Sequence, residues 1–195
     1  LTQQRLNYTD SDVKLFATPR RLAVLIPALQ SIQPDQAVEK LGPAVAAAYD
    51  KEGNPSKAAE GFARSNGVTF EDLQTVHTEK GDRLCYKSVA KGQPATKLLP
   101  GIVEQSLAKL PIPKRMRWGT SRIEFVRPAH WLVMLLGNDV VEANILGLQA
   151  SNNSYGHRFH APEAIVINDP LEYETLLEQQ GRVIPSFDKR QQLIK

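Results

Sequence analysis

Several neighbouring strand signals in this chain are joined by connections too short for anything but hairpins, and this constrains the fold more than any other feature. Gln74–Thr78 and Arg83–Ala90 flank Glu79-Lys80-Gly81-Asp82, and the apolar runs 130–136 and 140–146 flank Gly137-Asn138-Asp139. Antiparallel strands close over such connections, whereas parallel neighbours need a crossover of about a dozen residues. Helix signals lie between the hairpins. Asn54-Pro55 offers an N-cap and a first helical position ahead of a stripe of Ala58, Ala59, Phe62 and Ala63, with Gly67 to close it. Leu98, Ile102, Leu107 and Leu110 give a helix over 97–110 that ends at Pro111. Asp169-Pro170 opens another, running to Gln180 with Gly181 at its end. The mixture predicts an α+β fold with mixed, largely antiparallel sheets and packed helices, not a doubly wound parallel sheet.

The remaining punctuation refines this. Asp12–Ala17 and Leu22–Leu29 read as strands separated at Thr18-Pro19-Arg20-Arg21, where proline removes a ladder donor and implies a bend or edge. A turn at Gln33-Pro34-Asp35 leads into an extended piece ending at Gly42-Pro43. Ser151–Pro162 is polar and reads as loop, ahead of a short buried strand at Ile165–Ile167. The expected organisation is an α+β subdomain over 1–110, a second α+β portion over 111–185, and the start of a helix over 186–195 capped by Ser186. Leu1 is not a methionine and that last helix looks unfinished, so the chain reads as a piece of something longer.

Some function classes are disfavoured at once. A lone cysteine, Cys85, allows no intrachain disulfide or thiolate metal site, and within a strand pattern it reads as an inert packing residue. The longest apolar run, 131–136, is far short of the roughly 20 residues that span a bilayer. With no basic-then-apolar leader, the expected setting is cytoplasmic and free of membrane. There is no nucleophile elbow, phosphate-binding loop or dinucleotide fingerprint, so the chain's chemistry is expected to be performed elsewhere.

The formal charge of +3 is unevenly distributed. Lys109, Lys114, Arg115, Arg117, Arg122 and Arg127 fall within 109–131 with Glu124 as the one acid, so that segment carries +5 and the remainder −2. Pro111 and Pro113 hold its entry extended. On an extended strand Arg115 and Arg117 share a side, spaced for separate phosphates, while Trp118 offers a stacking face to an unpaired base. The alternative is that Met116 and Trp118 are core anchors and the arginines a solvated face. In Phe125-Val-Arg-Pro-Ala-His-Trp131, His130 and Trp131 are expected on opposite faces of a strand, with His130 free to meet a nucleotide or to serve the core. Gly156-His-Arg-Phe-His160 places His157, Arg158 and His160 in a loop; too few ligands accompany them for a metal site, and a polar, RNA-facing surface or a buried structural cluster both fit.

Taken in order, Phe16-Ala-Thr-Pro-Arg-Arg-Leu-Ala23, Lys40-Leu-Gly-Pro-Ala44, Ala58-Ala-Glu-Gly-Phe-Ala-Arg64, Lys114-Arg-Met-Arg-Trp-Gly119, Phe125–Leu132 and Gly156–His160 resemble the β subunit of bacterial glycyl-tRNA synthetase. The resemblance implies an N-terminal part of a longer β chain, similar in architecture to tRNA-contacting and editing-type domains of phenylalanyl-tRNA synthetase β chains. It implies a part in glycine–tRNA ligase, an enzyme in which a catalytic α subunit uses ATP with magnesium, while the β subunit binds tRNA(Gly) and assembles as α2β2. No cofactor is expected in this part, and no catalytic residue is carried over. RNA or α-subunit contact is expected at the basic stretch and at Arg20 and Arg21. Two alternatives accompany this reading: an editing-type hydrolase using His130, His157 or His160 as base, and a purely structural module that docks on the α subunit.

Overall fold

The computed structural model describes residues 1–50, 53–79, 81–120 and 122–195. The backbone forms two compact units: Leu1–Gln33 together with Gln93–Lys195, and Pro34–Gly92. The 110/111 division expected from the sequence therefore falls inside the first unit. Its two segments are stitched where they meet: Gln33 N donates to Gln93 O at 2.9 Å, Ala95 N to Ser31 O at 2.8 Å, and Gln93 N to Gln33 Oε1 at 3.3 Å.

The first unit begins with a hairpin of β1 (Lys14–Thr18) and β2 (Arg21–Leu25), in antiparallel register from Lys14 opposite Leu25 to Thr18 opposite Arg21. Pro19 occupies the two-residue turn, where its fixed φ helps and no ladder bond is lost. The expected bend is thus a tight reversal, and it delivers Arg20 and Arg21 to its tip.

In the second unit, β3 (Gln36–Ala44) leads through a short helix, α1 (Val45–Ala48), to α2 (Lys57–Ser65). Strands β4 (Gln74–Thr78) and β5 (Gly81–Ala90) complete a three-stranded antiparallel sheet in the order β3-β5-β4. The connection read at Glu79–Asp82 includes Lys80, which lies outside the described residues; the ladder extends to Thr78 opposite Gly81. Helix α2 starts two residues later than expected. Ser56, not Asn54, is the cap: its Oγ accepts from Ala59 N at 3.3 Å and donates to Ala47 O at 2.8 Å, while Asn54 N donates to Asp50 Oδ1 at 2.8 Å. Ala59 and Ala63 are buried on the helix face, and Ala59 shares a core with Ala48 and Leu84. Cys85 is fully buried, and burial raises its thiol pKa, with a hydrogen bond to Glu39 adding to the shift. A thiol held protonated in this way is a packing group.

Back in the first unit, α3 (Ala95–Lys109) contains Pro100, whose missing N–H forgoes one helical bond. Its Ala95 and Leu99 pack with Leu6, Met134, Val141, Ala143, Ile145 and Ala150 in the main core. A run of short strands follows: β6 (Met116–Arg117), β7 (Glu124–Phe125), β8 (Leu132–Val133), β9 (Leu135–Leu136), β10 (Asp139–Val140), β11 (Asn144–Ile145), β12 (Leu148–Ser151), β13 (Asn153–Tyr155) and β14 (Ala164–Val166). All pair antiparallel except β8 with β12. Gly137-Asn138 forms the two-residue hairpin turn between β9 and β10, as its composition predicts. The expected return strand to Leu146 instead breaks and turns again at Leu146-Gly147, both with positive φ, as a type I′ turn requires. Part of the expected 151–162 loop is also a strand, β13, because Ser154 is buried opposite Ile165.

Helix α4 (Tyr173–Gln179) is preceded by a 3-10 turn, Pro170–Glu172, whose Leu171 N donates to Asp169 Oδ1 at 2.8 Å. Helix α5 (Phe187–Ile194) is capped by Ser186, as expected, and Lys189 joins it to α4 through Glu174 and Glu178. Arg190 of α5 donates through Nη1 to the carbonyls of Ile184, Pro185 and Ser186, and through Nη2 to Ala17 O in β1. The α+β architecture with largely antiparallel sheets is the expected one. Among the described residues, no helix is long and apolar enough to cross a membrane.

Candidate functional site

The tip of the β1–β2 hairpin, the approach to β8 and the loop after β13 converge in the first unit on a pocket of about 430 Å³. Residues 20–21, 130–131, 155–159, 162 and 183 line it. Five residues singled out from the sequence thus come together: Arg20, Arg21, His130, His157 and Arg158. His160 stands just outside, its ring 4.5 Å from that of His157.

Arg21 holds the pocket in shape. Its Nη2 donates to the carbonyls of Tyr155 and Gly156, at 2.5 and 2.7 Å, and its guanidinium lies 5.6 Å from the Trp131 ring centroid. Its Nε is buried with no hydrogen-bond partner among the described residues. Burial lowers its pKa from the ordinary arginine value, with Arg20 adding to the shift and Tyr173 opposing it, yet a guanidinium stays charged at any physiological pH. Trp131 packs against Tyr155, ring centroids 5.3 Å apart and tilted by 59°. His130 and Trp131 therefore line one pocket, since they precede β8 and the alternation of a strand does not govern them.

The loop after β13 is built on close backbone approach. A Cβ on Gly156 would sit 2.6 Å from Gly181 Cα and O and 2.7 Å from Ala161 O, so only glycine lets these segments touch. His157 N donates to Gly181 O at 2.7 Å, and Ala161 N to His157 O at 2.8 Å. His157 Nδ1 accepts from the backbone N–H groups of Phe159 and His160, both at 3.3 Å. That nitrogen serves the turn, leaving Nε2 as the imidazole's other polar atom. Arg158 and Phe159 are exposed, the guanidinium 4.9 Å from the ring centroid.

Within the basic stretch, Arg115 and Arg117 do not line the pocket and make local contacts. Arg115 Nη2 donates to Ala108 O at 2.9 Å, a cation at the C-terminal end of α3 where the helix dipole favours it. Arg117 pairs with Glu124 across β6 and β7. Met116 is 47% exposed and Trp118 half-buried, so Met116 is no core anchor. Lys114, Arg122 and Arg127 are exposed. Among the described residues no group of three or more His, Cys, Asp or Glu is arranged to hold a metal ion. Tyr155 and Phe159, beside and within the Gly156–His160 motif, also line the pocket. In Tyr155-Gly-His-Arg-Phe-His160, aromatic and cationic side chains interleave.

Comparison with known proteins points to one class: the matching relatives are subunits of a tRNA ligase. The family profile described as glycyl-tRNA synthetase beta subunit matches residues 1–195, and the chain belongs to that family. It is 51% identical over 183 residues to the glycine–tRNA ligase beta subunit of Marinobacter nauticus, covering 94% of this chain and 26% of the relative. It is 52% identical over 185 residues to that of Hahella chejuensis, covering 95% and 27%. The chain thus spans about a quarter of the length of these curated relatives.

Proposed function

We propose that this chain supports the charging of tRNA(Gly) as a non-catalytic, tRNA-binding and assembly part of a glycine–tRNA ligase β subunit in the cytoplasm. In this reading the chain works beside a catalytic α subunit in an α2β2 enzyme, and ATP with magnesium is used on the α subunit. Family membership supports the setting. The observation that carries the tRNA contact is the pocket: arginines more than a hundred residues apart in sequence meet exposed aromatic rings, with no carboxylate among the lining residues. Phosphates bind arginine through charge-assisted hydrogen bonds, and unpaired bases bind aromatic faces. Lys114, Arg122 and Arg127 offer a second exposed cationic surface, for tRNA or for the α subunit.

In the assembled ligase, Arg20→Ala with Arg158→Ala is expected to raise the KM for tRNA about tenfold with kcat nearly unchanged. The slope of log affinity against log salt should become shallower by about one unit for each phosphate that is no longer engaged. Both side chains are exposed, so thermal stability should hold. An unaltered KM and salt slope would remove the pocket from tRNA recognition.

A further inference from the structure

The lining of the pocket defines its ligand more narrowly than a charged surface does. Three arginines and two histidines face it without a carboxylate, so the complementary ligand is anionic. Its wall is aromatic, with Trp131 against Tyr155, and with Phe159 at the rim 75% exposed. A single exposed phenyl ring is ordinary. One beside a second aromatic pair, at the mouth of a cavity within the roughly 300–1,000 Å³ range of small-molecule sites, is a platform for a planar partner. Single-stranded nucleic acid combines a π face and a phosphate in every residue, whereas a duplex hides its base faces in the stack and presents phosphates. An acidic peptide supplies the charge but no rigid planar face.

We propose that this pocket is a subsite for one unpaired RNA nucleotide, its base stacked on the face of Phe159 that Arg158 leaves open and its phosphate held by Arg20 and Arg158. His130, exposed at the same rim, meets the base edge. The proposal rests on the tRNA-binding reading above and adds the state of the nucleotide recognised. It also moves the stacking platform from Trp118, which does not line the pocket, to Phe159.

The test is fluorescence anisotropy with the full chain in its assembled ligase, using a fluorescein-labelled single-stranded RNA pentamer, the same pentamer annealed to its complement, and an unlabelled acidic peptide of equal charge as competitor. Phe159→Ala is expected to weaken the single strand about five- to a hundredfold, Phe159→Trp to restore it, and neither to affect the duplex. The exposure of Phe159 keeps these variants folded. A single-strand affinity indifferent to Phe159→Ala would overturn the proposal, as would an acidic peptide that displaces the pentamer as readily as unlabelled RNA does. If Phe159→Ala is silent while Arg20→Ala with Arg158→Ala still weakens tRNA, the nucleotide subsite falls and the tRNA-binding reading stands. If none of these variants changes binding of tRNA or pentamer, both fall.

Discussion

Gly156→Ala should lower the melting temperature by about 6–12 °C, the effect of a loss of about 3 kcal/mol in a chain of this size. The added methyl would meet three backbone atoms, Gly181 Cα, Gly181 O and Ala161 O, at 2.6–2.7 Å. A side chain in that position could rotate aside, but these atoms belong to segments tied by hydrogen bonds between His157 and Gly181 and between Ala161 and His157. Gly181 is itself closely packed, since a methyl on it would lie 2.7 Å from Leu177 O. Relief therefore requires the 156–161 loop to move, which shifts the carbonyl held by Arg21 and carries Arg158 and Phe159 with it. RNA binding should fall together with stability. Gly61→Ala is the contrast: that glycine sits within α2 with open space around it, and the change should stabilise by up to about 1 kcal/mol. Calorimetric melting of the two variants checks both, and a Gly156→Ala protein that melts with the wild type would refute the close approach.

Arg190→Ala should be of similar size, about 3 kcal/mol, for a different reason. One guanidinium donates to the carbonyls of Ile184, Pro185 and Ala17 and shares that of Ser186 with the Arg190 backbone N–H. Hydrogen bonds to a charged donor contribute about 1.5–3 kcal/mol, and truncation also leaves acceptors around the buried Pro185 without a donor. Arg190→Lys, with a compact ammonium in place of a planar fork, should recover only part of the loss. Chemical denaturation would show this as a lower midpoint at unchanged slope, and amide exchange should quicken in β1. Equal stability of the alanine variant and the wild type would mean that α5 is held by its other interactions, such as the Lys189 pairs with Glu174 and Glu178.

Local chemistry is legible in the sequence wherever one residue type suffices to set a backbone. Gly137-Asn138 predicts its turn, and Asp169 and Ser186 predict their caps, because each depends on atoms only a few positions away. The Asn54 cap fails on the same scale: Ser56, two residues on, takes the hydroxyl role while Asn54 is engaged with Asp50. The return strand expected over 140–146 is blurred because its turn relies on a leucine in the left-handed region at Leu146, which no propensity suggests. The site is half legible. Arginines and histidines announce themselves, but that Arg20, His130 and Arg158 share one pocket follows from long-range pairing that no spacing encodes. Conversely, the Arg115 and Arg117 pattern looks made for phosphate, and the fold gives these side chains a helix carbonyl and a carboxylate.

The stitching of Gln33 to Gln93 has a consequence for how the chain reaches its native state. The first unit is interrupted in sequence by Pro34–Gly92, so Leu6 leaves the ribosome well before α3, whose Ala95 and Leu99 share its core. Closing an open excursion of that length is entropically opposed, by an amount that grows with the logarithm of its length. The intervening unit brings its own ends together, with Gln36 opposite Ala90 and Gly92 N donating to Asp35 Oδ1 at 2.8 Å. Once folded it behaves as a short clip rather than a long tether. Synthesis from the N-terminus then favours an order in which the middle of the chain folds first and hands the outer segments to each other already aligned.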